Sequence, residues 1–529
     1  MKRVSALYTL MLFIHANPSA ASAQDTAGAK QHAEKGVEYA QSGDLARAEG
    51  ELRQAVKLGP GDASYLTSLG GILAMQQKLE EANVYFEKAV KANPNDLVSR
   101  RNLAANQWQL GKLKPAQANL ERLLRSQPGD KVAILLLGMV SENLGDYPRA
   151  AKLLASVPEM VDQHPESVAA LANSYYHTAQ NEKAHELLEK LLGRGGEPQG
   201  IFTAARVAAE VKDYGIAEKL FESIRSNYPD ATMLEYNLAL IQYRANRVAE
   251  SQRTLLDLVG AGHVTSDIYN LLGWCYHMQG NTTEAIHALE KAIRTDPSKE
   301  SNYLDLSIIL ITTKKLAAAL EVASRMADIF PRSEPAYRIK GLVQMKMDQF
   351  TDAVHSYSLA VERDPASLDS KVGLASARWA AGMRARSDAE FQSLMKQYPR
   401  EAVIYETFGT LLLDSATDDA MESRAVALLK TAVALDGARS EPHFQLGNLV
   451  LKKGKTGATP EQLRVALDHL QIAARLEPAQ SKIHYALSRM YRRLGHVEEA
   501  SREMQQYQEL KTEEDRANPR QTALGMQAK

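Results

Sequence analysis

Apolar residues recur along this chain in stripes that suit helices, and small residues punctuate the stripes at fixed intervals. The stretch YLTSLGGILAMQQKLEEANVYFEKAVKANP, residues 65 to 94, lies over LLGWCYHMQGNTTEAIHALEKAIRTDP, residues 271 to 297, with Gly70 over Gly273, Ala82 over Ala285, Ala89 over Ala292 and Pro94 over Pro297. The same skeleton returns as Gly36, Ala48, Ala55, Pro60 and as Gly341, Ala353, Ala360, Pro365. Its period is about 34 residues. A small residue at the eighth position of each unit lets one helix lie close against a second, and the alanines at positions twenty and twenty-seven fall where helices approach most closely. Proline at position thirty-two ends the second helix, because it has no amide hydrogen to donate and disfavours helical geometry in the residue before it. One such pair cannot bury its apolar stripe alone, so the pattern predicts stacked pairs with one concave and one convex surface.

The spacing W-x2-L-G-x2-Y, then A-x3-F, then A and P, resembles the tetratricopeptide repeat. In that frame about fourteen units begin near Ala29, Ala63, Leu97, Lys131, Pro165, Pro198, Thr232, Ser266, Glu300, Glu334, Leu368, Ala402, Ser440 and Ser481. The expected organisation is a leader over 1–23, a short linker over 24–28, the repeat array over 29–514 and a polar tail over 515–529. Some units depart from the pattern: Ser251 and Ser387 stand in for the central alanine, and the unit from Pro165 lacks the terminal proline. Two late units are stretched, near 415–420 and 455–461. The resemblance implies an all-α fold, a tandem helix-turn-helix solenoid coiled as a right-handed superhelix, with first helices lining the concave face.

Charge alters the functional reading only by exclusion. Sixty-three Lys and Arg balance 64 Asp and Glu, so no global field draws nucleic acid or an anionic membrane. At the start, Lys2 and Arg3, an apolar stretch from Val4 to Ala16 and the small run Ala21-Ser22-Ala23 read as a secretion signal cleaved before Gln24. That stretch is too short to span a bilayer and no later one approaches eighteen apolar residues, so the mature chain is expected to have no transmembrane segment. Cys275 is the single cysteine. An exported chain without an intramolecular disulfide fits a bacterial periplasm or exterior better than a disulfide-stapled secretion.

Candidate chemistry is sparse. Cys275 and His277 point about 200° apart around one helix and cannot act together. The histidines show no metal-ligand spacing, and no cofactor motif appears. Gly454-Lys455-Thr456 lacks the glycine a phosphate loop needs at Leu449, and Ser393 with Lys396 has SxxK spacing but no companion motif. The chain is therefore expected not to be an enzyme. Some repeats of this family grip a terminal carboxylate through a lysine at position five, but here that position carries Arg101, Phe202, Tyr236, Asn270, Arg338 and Tyr485 among others.

What remains is a surface. The resemblance places positions two, five, nine and twelve of each first helix on or near the concave face. Trp108 and Trp379 occupy position twelve and Trp274 position nine, joined in the middle units by Phe202, Arg206, Tyr236, Leu240, Tyr243, Asn270, His277, Ile308 and Arg338. Aromatics and arginine dominate binding energy at many interfaces. The alternative is that the same side chains pack between repeats. The function expected is an exported scaffold whose groove holds a protein or extended peptide. The alternative is a periplasmic subunit of an envelope or polysaccharide export apparatus that holds glycan or assembly factors.

Overall fold

The computed structural model of the protein describes residues 25–194, 196–452 and 458–516. The predicted leader, Gln24, part of the second insertion and the end of the tail lie outside the described residues. Among those described, every regular element is an α-helix: fourteen successive pairs and a one-turn helix, Pro158–Val161. First helices begin at Asp25, Ala63, Leu97, Lys131, Pro165, Pro198, Ala231, Ser266, Glu300, Glu334, Leu368, Ala402, Ser440 and Ser481. The sequence frame starts at the same residues except in the first repeat, where the helix begins at Asp25 rather than Ala29, and the seventh, where it begins one residue earlier, at Ala231.

The periodic small residues hold each pair together. A Cβ built on Gly273 would stand 2.7 Å from Leu289 Cγ and 3.2 Å from the Ala285 carbonyl of the second helix, and on Gly447 2.6 Å from Leu470 Cγ. The position-twenty alanines Ala82, Ala116, Ala285 and Ala353 are fully buried. Bulk at either place would part the helices.

A backbone feature of the turns has no sequence signature of its own. Position fifteen is left-handed in repeats one to eleven and fourteen, and half of those residues are not glycine: Gln77, Ala179, Lys212, Asn246, Lys314 and Asp348, with φ between 57° and 67°. That conformation lets the next amide reach back to the position-eleven carbonyl, as from Lys78 to Leu73 (2.8 Å), Asn281 to Tyr276 (2.9 Å) and Lys315 to Leu310 (2.8 Å). The bond ends the first helix as a Schellman turn does. In repeat twelve, the first stretched one, this arrangement is missing, and the equivalent residues of repeat thirteen lie outside the described residues.

The chain divides into two compact units between His263 and Val264. In the first, most of the described buried apolar side chains belong to one cluster running from Ala29 to Ile241. In the second they form separate clusters, one over Ala285–Val343, others over Val372–Leu446 and Phe444–Met490, with a small one around Tyr357.

Candidate binding face

Position twelve does not serve a groove in the way its aromatics suggest. Trp108 Nε1 donates to Asn143 Oδ1 at 3.0 Å, Tyr176 OH to Asp213 Oδ2 at 3.0 Å and Trp379 Nε1 to Ser415 Oγ at 3.2 Å. Each partner lies at or beside the inter-helix turn of the following repeat, so these side chains staple one repeat to the next. Trp379 is 7% exposed, edge-on to Phe408 at 5.9 Å and beneath the Arg384 guanidinium. Phe202 is 4% exposed, stacked on Tyr228 at 4.7 Å and edge-on to Phe221. Phe202 and Trp379 are thus interior, a correction to their placement on a partner surface. Position twelve faces the neighbouring repeat, whereas Phe202 at position five is covered by Phe221 and Tyr228 of its own repeat. Trp108 is half-buried against the first unit's core. Arg206 is exposed and pairs along its own helix with Glu210, while Tyr236 and Tyr243 are half-buried on helix Ala231–Arg244.

In the second unit a continuous band does reach the surface of the first helices. Trp274, Ile308 and Leu342 occupy position nine of repeats eight, nine and ten, each half-buried with its inner edge on the core. Leu304, Ile311 and Met345 flank them, also half-exposed. Position nine turns its outer side away from the second helix, so a large aliphatic group there cannot be covered within its own pair. His277 packs edge-on to Trp274 at 5.8 Å, and burial holds its imidazole below the usual histidine range, so the ring is neutral at neutral pH. Asn270 donates from Nδ2 to Asp305 Oδ2 at 2.8 Å and to Asn302 Oδ1 at 3.1 Å, tying repeat eight to repeat nine.

Two of the band's charges are matched internally. Arg338 pairs with Glu334 at 3.1 Å, Glu334 also accepts from Ser367 and Ser370, and Asp267 pairs with Lys299. Of the aliphatic residues on this face the sequence pattern singled out Ile308 but not Leu304, Ile311, Leu342 or Met345, though the spacing 274, 308, 342 carries Leu342 as well.

Other groups have structural settings. Cys275 is fully buried beside the repeat core. Among the described residues no three His, Cys, Asp or Glu side chains are placed to hold a metal, and no helix is long and apolar enough to cross a membrane. Ser393 and Lys396 are exposed on helix Arg384–Gln397, and Gly454-Lys455-Thr456 lies outside the described residues. A cleft of about 780 Å³ between repeats five and six is lined by Tyr176, His185, Val211 and Asp213 among others. There His185 Nδ1 meets Asp213 Oδ2 at 2.7 Å, and that hydrogen bond raises the imidazole above its ordinary range.

Family models described as tetratricopeptide repeat match residues 34–96 and 202–262, 73–140, and 266–299. The match over 266–299 begins with the helix pair that starts at Ser266, while the others begin within first helices. The chain carries tetratricopeptide repeats over these residues. A mouse relative, tetratricopeptide repeat protein 28, is 25% identical over 196 residues, which is 35% of this chain and 8% of the mouse protein. The chain thus spans under a tenth of that protein's length. Among solved structures it is similar to yeast Tom70 (16% identity, 87% of this chain and 96% of that one, TM-score 0.42). It is also similar to a tetratricopeptide repeat protein of Parabacteroides merdae (20% identity, 54% and 99%, TM-score 0.30). The tetratricopeptide-repeat scaffold is consistent with protein–protein interaction.

Proposed function

We propose that this protein is an exported, non-catalytic scaffold that holds an extended polypeptide segment of low charge along the first-helix face of repeats eight to ten. One observation carries the reading: Trp274, Ile308 and Leu342 repeat at the same register and stay half-exposed, while Arg338 and Asp267 near them are ion-paired within the protein. An apolar strip with polar, hydrogen-bonded edges gains by burying apolar side chains of a partner and offers little to a strongly charged one. A glycan would need convergent donors and acceptors, and the nearest candidates, Asn270 and Asp305, already bond each other. Export rests on the residue pattern of the leader, and N-terminal sequencing of extracytoplasmic material beginning at Gln24 is its test.

The groove is tested by placing a photo-crosslinking amino acid at Ile308 in the full chain. The expected result is one dominant adduct. A probe at Val84, exposed on a second helix of the first unit, should not give it. Trp274→Ala should reduce adduct formation and weaken the captured partner by roughly 2 kcal/mol, the scale of an interface hot spot. Equal labelling from both probes would remove the groove assignment.

A further inference from the structure

We propose that repeat thirteen is an acid-opened latch. Its two helices, Ser440–Lys452 and Pro460–Leu476, are joined by a histidine pair in which His443 Nδ1 and His469 Nδ1 stand 2.8 Å apart. The ring centroids are 5.0 Å apart, close to the sum of that contact and the two ring radii, so the nitrogens point nearly straight at each other. Two nitrogens converging on one tetrahedral metal at ~2.0 Å would stand about 3.3 Å apart and aim to one side. The head-on arrangement instead shares a single proton, one ring donating Nδ1–H and the other accepting.

The pair sits at a place that other repeats use differently. Position four of the first helix meets position twenty-three of the second as His32 Nδ1 to Glu51 Oε2 at 2.7 Å in repeat one, and as Arg100 Nη1 to Asn119 Oδ1 at 3.2 Å in repeat three. In repeat fourteen it is His484 Nδ1 to Glu503 Oε2 at 2.6 Å. Those clasps join a donor to an acceptor that cannot become a cation. In repeat thirteen both partners can.

A first added proton is tolerated, because an imidazolium can still donate to the remaining imidazole. A second leaves two N–H groups and two like charges facing each other with no acceptor between them, and the rings must part. His443 is buried and His469 half-buried, and burial depresses both below the usual histidine range. The surrounding charges do not reverse this. Lys430, on helix Asp419–Leu435, opposes a charged His469, Asp468 favours it, and the Gly437 backbone favours a charged His443, all less strongly than burial opposes the charge. On the following helix, Lys482 is held by Glu441 and His484 by Glu503.

The sign follows from linkage. A group whose folded-state affinity for protons is depressed takes them up on opening, so closure is favoured at neutral pH and lost progressively as pH falls below the ordinary histidine range. Hydrogen exchange of the full chain, corrected for the intrinsic pH dependence, measures it between pH 7.5 and 5. Peptides within 440–476 should lose protection, about tenfold per pH unit once one proton is taken up. Peptides of 25–58 and 481–512, with their His–Glu clasps, should not. His469→Glu and His469→Asn, which install the acceptors used at position twenty-three elsewhere, should each keep 440–476 protected at pH 5. Unchanged protection of 440–476 in the unmodified protein, or equal loss in repeats one and fourteen, would overturn the latch. So would acid opening that persists in both variants.

Discussion

Glycine within a helix ordinarily costs about 1 kcal/mol against alanine, so helix propensity alone makes every helical Gly→Ala change in this chain look stabilising. The packing divides them. Gly50, exposed on helix Leu45–Leu58, has nothing within 4 Å of a built Cβ, whereas Gly273 meets Leu289 and the Ala285 carbonyl inside van der Waals contact. Gly50→Ala should therefore stabilise by about 0.5–1 kcal/mol. Gly273→Ala should destabilise by roughly 1–3 kcal/mol, because the methyl must displace a second helix rather than a side-chain tip. Chemical denaturation of each variant against the parent gives the two signs, and the same sign for both would refute the close-contact account. Two residues after Gly273, Cys275 is fully buried and its neighbour Trp274 only half so, which assigns the thiol to packing and leaves the indole's outer edge to the surface.

Between helices, recurring side-chain ties set how one repeat meets the next, and their chemistry varies while their register does not. Position twenty-one of one second helix meets position sixteen of the next repeat as Glu49 with Lys78 at 2.8 Å, as Glu218 with Arg247 at 2.6 Å, and with the charges exchanged as His185 with Asp213. Only the last titrates near neutrality. Its histidine is raised in the folded state by Asp213, so its contribution is fully present below the ordinary histidine range and is lost as pH rises through the folded value. His185→Gln should then lower stability at pH 5.5 and make little difference at pH 8.5. Denaturation midpoints of the pair at both values check it, and a larger deficit at pH 8.5 would contradict the assigned sign. This contact should thus tighten in acid while repeat thirteen opens.

The helix pairs were legible because glycine, alanine and proline recur for steric reasons that a single sequence displays. The position-twelve staples were not, since a tryptophan reads alike whether it faces a partner or the next turn. Nor were the arginines of repeat fourteen that reach the end of repeat thirteen's first helix, where Arg489 and Arg493 donate to the Leu451 and Val450 carbonyls at 3.4 and 2.8 Å. Those bonds join residues 38 and 43 positions apart, and no local pattern announces them.

Across the molecule, stability should follow the continuity of the core. In a repeat array it is approximately a sum of repeat and neighbour-interface terms, so a local defect spreads as far as buried contacts connect. Among the described residues, most of the first unit's buried apolar side chains form one cluster from Ala29 to Ile241, while the second unit's fall into several. Equivalent defects in the two units should therefore travel different distances. A Cβ on Gly138 in repeat four would lie 2.6 Å from Leu154 Cδ2, and one on Gly409 in repeat twelve 2.9 Å from Leu429 Cγ, so Gly138→Leu and Gly409→Leu insert bulk at the same position. Each should cost roughly 1–3 kcal/mol locally. Under mild denaturant, hydrogen exchange in the Gly409→Leu protein should rise over repeats eleven to thirteen and leave repeats eight to ten protected. The Gly138→Leu protein should instead lose protection through most of the first unit together. If the repeat-twelve defect also released repeats eight to ten, the partition of the second core would carry no energetic boundary, and cooperativity there would have to come from the polar ties between repeats rather than from apolar burial.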